Sequence, residues 1–195
     1  MMNEQRRLLV VSGPSGVGKD SVVKAMIRKY AQADELIEVS VSATTRSKAL
    51  GEAEGVDYHF LERRQFEEHI AADSFLEYAE YSENYYGTLK AEVDSRISRG
   101  ITCVLVIEVR GAERVKSAYP ECTTVFVLPP DMKELESRIR GRKRDSEEQI
   151  HQRMETAKLL EMPLADSYDF KIVNTDLDTC ADELYAILKQ RQQAE

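Results

Sequence analysis

Apolar residues along this 195-residue chain fall into two alternating rhythms. Short runs rich in branched residues, LLVVS at 8–12, TCVLVIE at 102–108, TTVFVL at 123–128 and FKIVN at 170–174, predict strands buried on both faces. Strands of that kind belong to a parallel sheet. Between and after them, apolar positions recur at helical spacing over 19–31, 89–99, 131–140, 146–161 and 177–191. Asp131 with Glu134 and Ser146 with Gln149 have the spacing of a capping box at helix starts. The order strand, helix, strand, helix predicts the α/β class with a three-layer core.

From about 36 to 90 the rhythm changes. IEVSVS, VDYHF and FLEYAEY alternate apolar and polar positions as half-exposed strands do, around one helical stretch near 63–72. The segment reads as a small inserted β-rich lobe, leaving a core of 1–35 and 91–195. No repeat, low-complexity tract or linker separates the two, and the length suits one folding unit, so a single domain is expected.

Charge narrows the partners. With 27 Lys and Arg against 35 Asp and Glu, the formal net charge is -8, which repels nucleic acid unless positive charge gathers on one face. A polyphosphate ligand needs only such a local cluster. Cys103, Cys122 and Cys180 are odd in number and widely spaced, which suggests neither a disulfide framework nor a zinc site and suits a reducing cytoplasm. His59, His69 and His151 lack metal-ligand spacing and read as ordinary residues. The N-terminal LLVVS falls short of a signal-peptide core, and no apolar run reaches the ~20 residues of a membrane span, so neither export nor membrane association is expected.

Directly after the first strand pattern comes GPSGVGK, Gly13 to Lys19, followed by a helical pattern. This is Gly-x-x-x-x-Gly-Lys in the strand–loop–helix setting that a phosphate-binding loop requires. Gly13, Gly16 and Gly18 let the backbone N–H groups around Pro14, Ser15 and Val17 turn inward as an anion nest, the helix adds its positive end, and Lys19 reaches the β- and γ-phosphates. The alternative, a glycine turn that merely caps a helix, requires all four motif residues to coincide at the end of a buried strand. Asp20 departs from the pattern, because a Ser or Thr hydroxyl normally binds Mg²⁺ there. A carboxylate ~5 Å from a phosphate charge costs roughly 3 kcal/mol at an effective dielectric near 20, unless a cation lies between them. Either Asp20 ligates the metal or it points away. Ser21 is an imperfect substitute, rotated ~100° around the helix.

With that loop, the ordered series SVSATTR, GEAEGVDYHF, FLEYAEY, NYYGT, VLPPDMKELESRIRGR, DSEEQIHQRM and IVNTDLD resembles the guanylate kinase family over about residues 7 to 190. The resemblance implies a nucleoside monophosphate kinase-like core, an acceptor-binding lobe and a short lid at about 138–150. It further implies transfer of the γ-phosphate of ATP to GMP with Mg²⁺, by a monomer or homodimer with no nucleic-acid or membrane partner. Glu77 matches the family carboxylate that accepts from guanine N1–H and the 2-amino group, a pair adenine cannot offer. Ser42 and Thr88 match small hydroxyls near the base edge, with Gly87 beside them. Arg46, Tyr58 and Tyr86 match the grip on the GMP phosphate, where donors and positive charge are needed. Apart from the resemblance, Tyr58, Tyr85 and Tyr86 read as hairpin and core aromatics, and the family pattern reverses that for Tyr58 and Tyr86.

In the basic run RIRGRKR, Arg138 and Arg142, with Arg153 beyond it, match lid arginines that close on the donor phosphates. Lys19, Arg46, Arg142 and Arg153 are therefore expected to stabilise the transferring group. Asn174 matches a residue near the donor adenine, and a strand-end Asn making a local turn reads equally well. Ala49, with Lys48 beside it, stands where the family usually has a second phosphate arginine. Val106 stands where it has an acidic residue, leaving Glu108 as the carboxylate on that face, and Arg110 stands where a glutamine is common. Two other readings keep features of the chain: GKDS resembles the loop of ribose 1,5-bisphosphate phosphokinases, and guanylate kinase-like scaffold domains bind phosphorylated peptides without catalysis. Glu77 argues against the first, and Lys19 with the lid arginines against the second.

Overall fold

The computed structural model describes residues 4–31, 36–81, 83–141 and 145–193. After a turn of 3₁₀ helix (Glu4–Arg7), the chain forms β1 (Leu8–Ser12), α1 (Lys19–Tyr30), β2 (Ile37–Val39), β3 (Ala43–Thr44), β4 (His59–Phe60), α2 (Arg63–Ala71), β5 (Phe75–Tyr81) and β6 (Asn84–Leu89). It continues with α3 (Lys90–Ser98), β7 (Thr102–Val106), α4 (Val109–Ala118), β8 (Thr123–Leu128), α5 (Met132–Gly141), α6 (Glu147–Thr156), β9 (Phe170–Val173) and α7 (Leu177–Gln193).

Five strands form a parallel sheet in the order β2-β7-β1-β8-β9. The continuous apolar runs are explained by burial on both faces. Leu9, Val11, Val104, Val125, Val127 and Ile172 pack with Val22 and Met26 of α1 and Leu184 and Leu188 of α7. Their alternating neighbours Leu8, Val10, Cys103 and Leu105 pack on the other face with Val93 and Ile97 of α3 and Val115 of α4. Each such side chain contributes roughly 1.5–3 kcal/mol when fully buried, so the middle layer anchors the molecule. The chain leaves β1 for β2 and β7 on one side and returns to β8 on the other, which opens a crevice beyond the carboxyl end of β1.

The lobe is a second sheet in the order β4-β3-β6-β5, with β3 and β5 both antiparallel to β6. Its own small core joins Ala43, Phe66 of α2 and Phe75. The run IEVSVS divides between the sheets: Ile37–Val39 is the edge strand of the core sheet, paired with β7, and only the residues from Ala43 on belong to the lobe. Three further details depart from the sequence pattern. Residues 109–118, where no helix was expected, form α4, which buries Val109, Ala112 and Val115 at helical spacing. The strand expected through 108 ends at Val106. The helix expected over 146–161 is regular only to Thr156, then widens into a π-helical turn (Ala157–Glu161) and tightens to 3₁₀ (Met162–Ser167), where Pro163 cannot continue the ladder. The capping box of Ser146 and Gln149 forms in both directions, and Asp131 Oδ1 accepts from the Glu134 N–H at 2.8 Å.

Candidate functional site

The loop Gly13–Lys19 leaves β1 and enters α1 with Gly13, Gly16 and Gly18 all at positive φ. Sterics explain the outer two. A Cβ on Gly13 would lie 2.3 Å from the Val127 carbonyl oxygen, and one on Gly18 would lie 2.7 Å from the Asn174 amide nitrogen. The loop is held from behind by two of the residues read as nucleotide contacts. Asn174 donates to the Val17 carbonyl at 2.8 Å, and Arg138 donates to the carbonyls of Val17 at 3.2 Å and Asn174 at 2.9 Å. The Asn174 side chain thus makes no local turn, and Arg138 braces the loop in this conformation. Lys19 Nζ donates across the loop to the carbonyls of Gly13 at 2.6 Å and Pro14 at 3.2 Å.

Arg153, on α6, joins three parts of the molecule. It donates to Ser15 Oγ at 2.7 Å and to the Tyr81 hydroxyl at the tip of β5 at 2.8 Å, and it pairs with Asp145 at 3.4 Å. Arg142 lies outside the described residues.

Glu161 is a participant that the sequence reading missed. The π-helical turn aims its carboxylate into the loop cavity, which is lined by Ser15, Gly16, Gly18, Lys19, Asp20 and Glu108. There it accepts from the Ser15 backbone N–H. Burial pushes its carboxyl above the ordinary carboxylate range, Lys19 opposes that rise, and Glu108 adds to it. A carboxylate therefore occupies part of an anion nest. A site on an irregular turn 142 residues beyond Lys19 leaves no local mark in the sequence, where it reads as the end of a helix.

Asp20 is exposed in the first turn of α1 and borders both the loop cavity and a second small cavity with Ser40, Ser42, Asp57 and Tyr58. Ser21 is exposed and lines neither. Asp20, Glu108 and Glu161 supply hard oxygen donors of the type Mg²⁺ takes. Among the described residues no group of three or more His, Cys, Asp or Glu is arranged to hold a metal. That combination fits an ion held by one carboxylate together with phosphates and water.

A large cavity, about 630 Å³, lies between the lobe and the N-terminal half of α4. Ser42, Tyr58, Glu77, Tyr86, Gly87 and Glu108 line it, whereas Arg46 and Thr88, also expected at the acceptor site, do not. Glu77 Oε1 accepts from Thr88 Oγ1 at 2.7 Å, across a direct β5–β6 pair. Thr88 is 1% exposed, so its hydroxyl positions the carboxylate from within the sheet. Burial raises the Glu77 carboxyl above its usual value, Thr88 offsets part of that, Glu108 raises it further and Arg114 lowers it. Tyr86 and Tyr58 meet edge to face at 6.1 Å. Tyr85 alternates to the opposite side of β6, where its ring stacks on Phe66, and so remains a core aromatic. Gly87 is needed for close packing, since a Cβ there would fall 2.8 Å from the Glu77 carbonyl oxygen.

Arg46 is already paired. Its guanidinium makes a two-pronged contact with Glu52 at 2.7 and 3.1 Å and lies over the rings of Tyr58 and Phe60. The Ala49 N–H also donates to Glu52, at 2.8 Å. Glu108 ends the loop after β7 as the N-terminal cap position of α4 and borders both the large cavity and the loop cavity. Asp20, Ser42 and Tyr58 connect the remaining cavity in the same way, making one continuous cleft. The three cysteines are buried and free, and burial pushes their thiols up to about 12, 11 and 11, which removes them from nucleophilic chemistry. No helix among the described residues is long and apolar enough to cross a membrane.

The family model described as guanylate kinase matches residues 5–191. A guanylate kinase of Prochlorococcus marinus (strain MIT 9312) is 40% identical over 188 residues, covering 96% of this chain and 100% of that protein. A guanylate kinase of Carboxydothermus hydrogenoformans is 45% identical over 181 residues, covering 93% of this chain and 86% of the other. Among solved structures, a guanylate kinase from Anaplasma phagocytophilum superposes with a TM-score of 0.71 at 29% identity, covering 96% of this chain and 86% of that one.

Proposed function

The chain belongs to the guanylate kinase family, and on that premise we propose how its cleft moves the γ-phosphate of ATP onto GMP. The observation that carries the reading is the half-buried Glu77 carboxylate, held by Thr88 in a cavity that shares Glu108 with the phosphate loop.

The donor triphosphate lies in the nest of Gly13–Lys19, with Asp20 and Ser21 opening the helix behind it. Asn174 and Arg138 keep that nest rigid from behind. Guanine enters the large cavity, where Glu77, positioned by Thr88, accepts from N1–H and the 2-amino group and Ser42 completes the edge. Tyr58, Tyr86 and Arg46 hold the GMP phosphate, and its anionic charge replaces Glu52 on the arginine fork. An oxygen of that phosphate then bonds to the γ-phosphorus as the bond to the β-phosphate oxygen breaks, so no general base is needed. Lys19, Arg46, Arg142 and Arg153 follow the charge as it spreads over the transferring group. Arg153 is well suited to report closure, because it already links the loop, the lid helix and the lobe tip. Mg²⁺, held by Asp20 with phosphates and water, would neutralise charge between donor and carboxylates.

We read the protein as a monomer or a homodimer. We place it in the cytoplasm with its nucleotide substrates. A rate assay of ADP release with ATP and Mg²⁺ over GMP, AMP, CMP, UMP and ribose 1,5-bisphosphate tests the assignment. GMP should be the best acceptor, and faster turnover of the sugar phosphate would overturn it.

A further inference from the structure

Gly111 has no backbone reason to be glycine. It lies in the first turn of α4 and is not among the residues at positive φ, and alanine is the better helix former at such a position. What the glycine provides is space. A Cβ built on it would lie 3.0 Å from Glu77 Oε2, 3.1 Å from Glu77 Cγ and 3.4 Å from Glu77 Cβ. All three contacts fall on one side chain.

Glu77 has little freedom to retreat. Its other oxygen is fixed by Thr88, which is itself buried within the lobe sheet. Arg114, three residues along the same face of α4, lies over the Tyr78 ring at 5.7 Å, and its charge favours the ionised carboxylate. α4 therefore presents a gap and then a cation to Glu77. We propose that Gly111 is a positioning residue for base recognition: its missing side chain seats the Glu77 carboxylate and so sets the preference for guanine over adenine. A carboxylate that must meet two donors on one base edge loses alignment when displaced by a few tenths of an ångström. The inference rests on the reading of Glu77 as the guanine acceptor.

The test uses Gly111→Ala, Glu77→Ala and the double variant, comparing kinetics with GMP and AMP alongside the thermal midpoint. In Gly111→Ala the KM for GMP should rise about 5- to 30-fold, the equivalent of weakening one or two hydrogen bonds, and the GMP:AMP ratio of kcat/KM should fall equally. The KM for ATP should change less than about 2-fold, with an unchanged or higher Tm from the better helix former. In the Glu77→Ala background, where the obstruction is gone, adding Gly111→Ala should change neither ratio nor KM. A loss of folding in Gly111→Ala that the double variant repairs would also locate the conflict at Glu77. Unaltered GMP kinetics in Gly111→Ala, while Glu77→Ala loses discrimination, would overturn this inference and leave the guanine reading intact. Retained discrimination in Glu77→Ala would overturn both. Parallel rises in the KM of ATP and GMP with a lower Tm would make Gly111 a packing residue only.

Discussion

The phosphate loop and the acceptor lobe face each other across one cleft and are built on opposite principles. The loop takes its chemistry from backbone N–H groups within Gly13–Lys19, braced by Asn174 and Arg138 and packed against Val127 of the main sheet. The lobe takes its chemistry from side chains on β5, β6, the segment from Ser40 to Phe60, and α4 of the core, gathered around a small core of its own. On the proposed reading, any triphosphate would satisfy the first arrangement, whereas only guanine would satisfy the second. Substitutions in the loop should therefore change the rate of transfer for every acceptor, and substitutions around Glu77 should change which acceptor is used. In both places a carboxylate meets groups proposed to bind phosphate, Glu161 near Ser15 and Lys19 and Glu52 on Arg46, so on that reading each half presents an internal anion for its substrate to displace.

The largest effect expected belongs to the loop. Lys19→Ala should lower kcat about 10²- to 10³-fold, the scale of removing one donor to a developing charge, with a much smaller change in the Kd of GMP. Single-turnover rates with bound GMP measure it. An unchanged rate would remove Lys19 from the transfer step.

A smaller gain is expected in the lobe. Ala49 is exposed beside Arg46, Lys48 and Glu52, and an arginine there would offer the acceptor phosphate a second planar fork. Lys48 supplies part of that attraction as a point charge, so Ala49→Arg should raise kcat/KM for GMP by about 10-fold, near the lower end for a charged hydrogen bond. Steady-state kinetics decide it, and a loss specific to GMP would mean that the phosphate sits elsewhere.

Acid separates the halves by sign. Burial raises the carboxyls of both Glu77 and Glu161. On the proposed reading Glu77 binds guanine as the ionised carboxylate, so as pH falls through its raised pKa the KM for GMP should climb. The climb should begin above the range of an ordinary carboxyl. Glu161 repels the donor phosphates when ionised, so its protonation should leave the KM for ATP steady or lower it. Comparing wild type with Glu77→Gln cancels the titration of the GMP phosphate, and the two profiles should diverge as the pH falls toward the carboxylate range. Parallel profiles would place the titration outside Glu77.

The loop was legible because its signal is local: Gly13, Gly16, Gly18 and Lys19 lie within seven residues between a buried strand and a helix. The strands of the sheet were legible for the same reason, through continuous apolar runs. The segment IEVSVS was misassigned as a whole because an exposed edge strand of the core alternates just as a lobe strand does. α4 was missed although Val109, Ala112 and Val115 recur at helical spacing within it. Glu77, Ser42, Tyr58 and Tyr86 were named through family resemblance, since spacing does not show that four separate segments share a cavity. The roles of Thr88 and Glu161 depend on contacts across a hairpin and a helical irregularity, which periodicity does not encode.

The division of labour is tested most directly by the GMP:AMP ratio of kcat/KM, measured in wild type, Lys19→Ala and Glu77→Gln under the same conditions. The ratio should survive within about 3-fold in Lys19→Ala despite its slow turnover, and should fall about 10- to 150-fold in Glu77→Gln, the scale of a hydrogen bond to a charged group. A collapse of the ratio in Lys19→Ala, or its persistence in Glu77→Gln, would contradict the account.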